Sequence, residues 1–443
     1  MGNVTCSQTR RSFFKQSAGV AAAGMLPAWM VEEINGAQPT TTTASPNERP
    51  GIALVGCGGM GRADARNASR FGRVVAVCDV DENRAAEASE EFDGARTFRD
   101  FREVMDQPDV EVVICGTVDH WHTLVSMAAV QAGKDVYCEK PLTLTIDEGK
   151  RLVAAVRESG RILQTGSQQR SDARFRLACE LVRNGRLGKI TRVTTYLPAG
   201  LRGGPFAPSE PPAGFDWNFW QGQTPALDYV RERTHLTFRY WYDYSGGTMT
   251  DWGAHHNDIV LWGLGLDRSG PVKIEGRPRV EMIPGGYTAA SEYEVQYTYP
   301  GGVVHACRST ADDDFSGRPV NPDGQRHGVR FDGTEGWIWV TRGRIEASDL
   351  ELLEAPLAAD AVQLYRSDDH LGNFFDCVRT RKAPVCDVEI GHRSASVCHL
   401  GVIAIRLGRP LEWDPAHEEC VGDEEANGWL AREMRKPWSY EMI

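Results

Sequence analysis

The sequence predicts an α/β protein: an N-terminal doubly wound parallel sheet joined to a C-terminal α+β domain with a large, mainly antiparallel open sheet. Three observations predict it. Between residues 51 and 164, short apolar runs alternate with stretches of helical composition, as in strands linked by crossover helices. The first of those runs opens directly onto glycines at 56, 58 and 61, and the second ends at Asp79. Beyond residue 189, strand-like runs follow one another with turns and few helices between them, which suits antiparallel pairing.

The 443 residues, 41% of them hydrophobic and 12 of them Trp, are enough for two packed domains. A net charge of −12 argues against a nucleic-acid partner or an anionic membrane surface. The 11 Cys are an odd number, contain no C-x-x-C pair, and fall largely inside apolar runs (Cys57, Cys78, Cys115, Cys138, Cys307). They read as small buried hydrophobes, not a disulfide framework. At the N-terminus, Thr9-Arg10-Arg11-Ser12-Phe13-Phe14-Lys15 precedes a mild apolar stretch. It resembles a twin-arginine export signal, assigned to residues 1–37, and implies a periplasmic or exported protein. Residues 38–50, QPTTTTASPNERP, read as a linker, and no later run is long enough to span a membrane.

The first domain is expected at 51–166. Residues 52–55 form an apolar run of the length of a buried strand. Gly56, Gly58 and Gly61 follow in G-x-G-x-x-G spacing, residues 60–71 read as a helix, and 74–78 as the next strand. This is a βαβ unit suited to a dinucleotide. Gly56 allows the tight turn, Gly58 lets a diphosphate approach the backbone, and Gly61 lets helix and strand pack closely. The helix start at Gly59, Met60 and Gly61 offers free N–H groups to the diphosphate. Asp79 stands 18 residues past Gly61, where a carboxylate can accept from a ribose 2′-OH. The expected cofactor is therefore NAD, with NADP as the alternative because Arg84 is close by. Helices at 82–91, 100–105, 120–132 and 146–159 then alternate with strands at 95–98, 110–115, 136–138 and 162–164. Ligands bind at the carboxyl ends of such strands. Asp79, Thr117, His122 and Glu139-Lys140-Pro141 all fall there.

The second domain is expected at 167–443, with strands at 189–197, 275–283, 291–299, 303–309, 328–332 and 336–340. Residues 201–245 are aromatic and Pro-rich, and read either as an irregular packed insertion or as an aromatic wall for a sugar face. Gly246-Gly247-Thr248-Met249-Thr250-Asp251-Trp252-Gly253-Ala254-His255-His256-Asn257-Asp258 leads into an apolar helix. Helical spacing puts Asp251, His255 and Asp258 on one face. His255, His256, His120 and His122 could be metal ligands. Adjacent histidines diverge by about 100° on a helix, so no metal is expected. Two tail helices are expected within 370–407, where His370, Asn373 and His392 read as capping and packing residues.

Together, the glycine motif, Thr117…His122, the segment AGKDVYCEKPLTLT (132–145) and the Gly246…Asp251…His255 segment resemble the glucose-fructose oxidoreductase, inositol dehydrogenase and rhizopine-catabolism (Gfo/Idh/MocA) family. Val118 stands where that family usually has Pro. The resemblance implies that Lys140 reaches the nicotinamide and the substrate hydroxyl, and that Glu139 and His122 contact the cofactor riboses. It implies that Asp251 and His255 stand across the nicotinamide from Lys140. It also implies an open sheet that covers the cofactor and forms a subunit interface, hence a homodimer or homotetramer.

Oxidising an alcohol removes a hydroxyl proton as a hydride leaves the same carbon, so a base within hydrogen-bond reach is needed. His255 suits that task, Asp251 would orient it or lower its titration cost, and Lys140 would stabilise the alkoxide. The expected activity is oxidation of a hydroxyl on a small-molecule carbohydrate, a sugar, cyclitol or derivative, with the cofactor tightly held. A periplasm supplies no useful pool of free nucleotide, which favours such retention. The alternatives are a glycoside hydrolase working by transient oxidation and elimination, and a non-catalytic sugar-binding relative.

Overall fold

The computed structural model describes residues 26–27, 29–31, 49–310 and 327–442. Arg10, Arg11 and nearly all of the 38–50 linker lie outside the described residues. In the first domain the strands are β1 (Gly51–Val55), β2 (Arg73–Cys78), β3 (Arg96–Phe98), β4 (Val112–Cys115), β5 (Asp135–Cys138) and β6 (Leu163–Thr165). The helices between them are α1 (Gly59–Ala68), α2 (Glu82–Glu91), α3 (Phe101–Met105), α4 (His122–Gln131) and α5 (Ile146–Ser159). All strand pairs are parallel, in the order β3-β2-β1-β4-β5-β6. β1, β4 and β5 are buried throughout, because helices cover both faces of the sheet. The order reverses between β1 and β4, and that is where such sheets bind ligands.

Local chemistry sets the helix ends. Thr145 and Glu148 form a reciprocal capping box at the start of α5, and Gly160 ends it in the left-handed region. The expected helix at 60–71 stops earlier, at Ala68, and Ser69 to Gly72 turn back toward β2.

The second domain holds α6 (Ala173–Arg183), β7 (Ile190–Pro198), α7 (Trp217–Gln221), α8 (Trp252–Leu264), β8 (Lys273–Pro278), β9 (Tyr293–Thr298), β10 (Val304–Thr310), β11 (Gly328–Gly333), β12 (Gly336–Thr341) and β13 (Arg344–Ala347). Then come α9 (Glu351–Glu354), α10 (His370–Thr380), α11 (Val388–Leu407), β14 (Leu411–Asp414) and β15 (Glu419–Cys420). The nine-stranded sheet runs β13-β12-β11-β7-β10-β9-β8-β14-β15. It is antiparallel except for β7 and β10, which pair in parallel. The chain leaves β7 through the aromatic insertion and α8, and re-enters the sheet from the other end. α6, α8 and α11 pack into one core with the inward residues of the sheet, including Val193, Val295, Cys307 and Phe331.

Both chain ends cross the expected boundaries. Leu371, Phe374 and Phe375 of α10 fill the first domain's core beside Ile52, Leu54 and Ala65. Met434, Trp438 and Tyr440 cover the opposite face of the same sheet. Near the start, Met30 is fully buried in the second domain's core, and the Trp29 indole N–H donates to the Leu353 carbonyl at 3.2 Å.

Candidate active site

One cleft opens at the strand-order switch. Its floor is the turn from β1 to α1 (Gly56, Gly58, Gly59, Met60), and Asp79, Thr117, His122, Glu139 and Lys140 line its sides at the ends of β2, β4 and β5. Gly61 lies just behind, where a Cβ would stand 2.1 Å from the Gly56 carbonyl oxygen. Gly56 has φ +92°, and a Cβ there would stand 2.6 Å from the Gly116 carbonyl carbon. Only glycines let the β1 and β4 turns approach so closely. No side chain caps α1 at Gly58, so the first amides of a ten-residue helix are free to meet a diphosphate. Asp79 accepts the backbone N–H groups of Cys57 at 2.8 Å and Asp81 at 2.9 Å, while burial raises its carboxyl above the usual range. These bonds fix the carboxylate in the cleft wall. The donor set therefore fits a dinucleotide.

His122 ties the two following loops together, its ring nitrogens 2.7 Å from the Pro141 carbonyl and 3.2 Å from that of Thr117. Glu139 accepts from the Gln168 amide at 2.8 Å. Behind it, the Asp64 carboxyl is pushed up to about 9, first by burial and then by Glu139, so it stays protonated at neutral pH.

The reacting end joins the domains. Lys140 donates to Asp251, the residue immediately before α8, and the Arg239 guanidinium stands 3.4 Å from the same carboxylate oxygen. Burial would raise the Asp251 carboxyl, but Lys140 and Arg239 outweigh it and hold it below the usual range. His255, one turn into α8, is buried. Burial first, then Lys140 and Arg342, push its imidazole well below 6.5, so the ring is neutral. Its Nδ1 has no hydrogen-bond partner among the described residues.

One expectation is corrected here: Asp251 bonds Lys140 and Arg239 and makes no hydrogen bond to His255 among the described residues. Asp258, on the same helix face by spacing, lies away from the site: it takes a bidentate pair from Arg170, both bonds 2.7 Å, and a bond from Ser394 at 2.6 Å. Helical spacing puts it on the right face, but about 10 Å further along the axis, where α8 is already inside the core. His256 faces His327, with 2.9 Å between ring nitrogens, and His120 lies 2.8 Å from the Trp220 carbonyl. The aromatic insertion contributes Phe215, Phe219, Trp220, His235 and Phe238 to the cofactor cleft. It roofs the dinucleotide position, and most of its other rings pack on one another.

Residues 51–167 match the model of the oxidoreductase family's NAD-binding Rossmann fold, and residues 202–315 and 330–440 match that of its C-terminal alpha/beta domain. The chain belongs to the Gfo/Idh/MocA oxidoreductase family. Its first domain is the family's NAD-binding Rossmann domain. Inositol 2-dehydrogenase 2 of Saccharopolyspora erythraea is 37% identical over 158 residues, 33% of this chain and 47% of that protein. The myo-inositol 2-dehydrogenase of Thermotoga maritima is 27% identical over 218 residues, 48% and 54% of the respective chains. The chain thus spans about half the length of these two relatives. The scyllo-inositol 2-dehydrogenase (NAD(+)) of Bacillus subtilis is 26% identical over 82% of this chain and 96% of its own. Levoglucosan dehydrogenase, solved with NADH and levoglucosan, superposes with a TM-score of 0.61 at 17% identity, covering 82% of this chain and 99% of that one, and so shares the fold.

Within this Gfo/Idh/MocA site, sequence reasoning missed Asp119 and Arg239. Asp119 is buried at the cleft and accepts from the Ser245 hydroxyl at 2.5 Å. Burial raises its carboxyl, against the pull of His122 and Arg239. A signal existed for Arg239: it is the one charge in the run Leu-Thr-Phe-Arg-Tyr-Trp-Tyr (236–242).

Proposed function

We propose that this protein is an NAD-dependent oxidoreductase that oxidises a hydroxyl of a sugar, cyclitol or sugar derivative. The observation that carries the reading is the Lys140–Asp251 pair, which closes the nicotinamide end of the cleft from two domains with neutral His255 one turn further on. NAD, when bound, accepts the hydride. His255 takes the hydroxyl proton, for which a neutral ring is required. Lys140 places positive charge beside the oxygen as it becomes an alkoxide, and Asp251, itself paired with Arg239, holds the ammonium in place. In the reverse direction protonated His255 returns the proton. The insertion roof keeps water from the cleft and favours a retained cofactor.

The test is single-turnover NAD reduction by the purified protein across a panel of sugars, cyclitols and glycosides, with bound nucleotide identified after denaturation. Absence of any nucleotide binding would sink the reading. The redox-neutral hydrolase is not favoured, since the relatives above are named as dehydrogenases.

Export by the twin-arginine route is part of the same proposal, supported by Arg10 and Arg11. Replacing both by Lys should hold the protein in the cytoplasm. A homodimer or homotetramer through the open face of the nine-stranded sheet completes it, and light scattering of the purified protein tests that assembly.

A further inference from the structure

Three cations, Lys140, Arg239 and Arg342, stand around Asp251 and Trp252 at the start of α8. Lys140 and Arg239 share Asp251. The third, Arg342, projects from the β12–β13 turn, and its guanidinium lies 5.0 Å from the centre of the Trp252 ring. Trp252 is the first residue of α8, between Asp251 and His255, its ring 6.1 Å from that of His255. Arg342 is exposed and lies against the indole that separates Asp251 from His255 in the sequence. Yet it makes no hydrogen bond or ion pair among the described residues. Stacking on an indole fixes the guanidinium plane while leaving its N–H edge open to a ligand.

We propose that the substrate is a carboxylate-bearing sugar derivative, a uronate or aldonate, whose carboxylate is held by the free edge of Arg342 while Lys140 and His255 act on one of its hydroxyls. This rests on the dehydrogenase reading above and narrows its substrate class. A planar fork with two parallel donors matches a carboxylate. One unpaired guanidinium also matches one unit of charge, where a phosphate dianion would leave one uncompensated. The neutral polyol and sugar partners of these acids would leave the cation unused.

The experiment pairs acids with their neutral counterparts on the full-length, NAD-loaded protein: D-glucuronate with D-glucose, D-gluconate with D-glucitol, and D-glucose 6-phosphate as the phosphate arm. The acids are expected to show KM values at least tenfold lower than their partners. Arg342→Gln should raise the acid KM about 10- to 100-fold, with kcat within a few-fold, since a charge-assisted bond at the binding step is lost. Arg342→Lys should recover part of the preference, because it restores charge without the fork. An acid-to-neutral ratio unchanged by Arg342→Gln, or a preference for the neutral partner, overturns the proposal. A preference for the phosphate overturns the carboxylate assignment. If no compound reduces NAD, the dehydrogenase reading has failed, and calorimetric titration of glucuronate into NADH-loaded protein still decides this one. Binding that weakens tenfold or more in Arg342→Gln supports it, and binding that is absent or indifferent to Arg342 refutes it.

Discussion

In the proposed reaction Lys140 and His255 act on one oxygen, yet they are held differently. His255 is neutral because it is buried among cations. A histidine whose pKa is lowered keeps its basic form down to lower pH, so activity that needs the neutral ring should persist on acidification. The acid limb of kcat/KM is therefore expected below 6.5, the ordinary imidazole value. A pH profile with its limb at or above 6.5 would remove His255 from the role of base. His255→Ala and Lys140→Ala should each lose about 10²–10⁴ in single-turnover rate, as for removal of a general base or of an oxyanion partner. Asp251→Asn should cost more than a spectator would, about 10- to 100-fold. It leaves Lys140 and Arg239 facing each other without their shared counter-charge. Nucleotide occupancy and melting temperature, measured alongside, separate these effects from misfolding. Spaced motifs single out Lys140, Asp251 and His255 in the sequence, but not the Lys140–Asp251 pairing that the structure shows. Helical periodicity states which face a residue occupies, but not whether that face looks into a cleft, as at Asp251, or into the core, as at Asp258.

Elements buried on both sides were the most readable. β1 and β4 appear as uninterrupted apolar runs, β5 as one after its opening Asp135, and the glycine turn fixes where α1 starts. The parallel pairing of β7 with β10 was hidden, because partner choice depends on where a long connection re-enters the sheet. The insertion is legible as an irregular packed stretch, but its placement is not, because its rings bury against each other along irregular backbone with no period to detect. Its position over the cleft depends on the C-terminal segment. Arg435 bonds the Asn218 side chain at 2.6 Å and the Gly222 carbonyl at 2.7 and 2.9 Å. Trp438 packs edge-on against Trp121 at 4.8 Å and stacks on Phe219 at 5.4 Å. Each aromatic pair contributes about 0.5–1.5 kcal/mol beyond area burial. Trp438→Ala should loosen α7, which carries the cleft residues Phe219 and Trp220. NADH, chased with excess NAD and followed by fluorescence, is expected to leave about tenfold faster. An unchanged off-rate would show that the roof stays in place without its C-terminal clasp.

Across the whole molecule, the two ends of the chain complete cores that the middle leaves open. α10 and Trp438 close the two faces of the parallel sheet, and Met30 plugs the core beneath the nine-stranded one. That last contact falls inside the region 1–37 that resembles an export signal. Burying a Met side chain is worth about 1.5–3 kcal/mol, and the Trp29 bond to Leu353 adds to it. At about 2–4 °C per kcal/mol in domains of this size, a chain starting at residue 49 should melt roughly 3–10 °C below one starting at residue 26. Met30→Ala in the longer chain should reproduce much of that drop, because it opens the same cavity without removing the segment. If the proposed export holds, a processed form that keeps the contact is cut before Trp29, which the intact mass of the secreted protein reads directly. Equal melting of the two chains, together with cleavage beyond residue 31, would show that the mature enzyme dispenses with this plug.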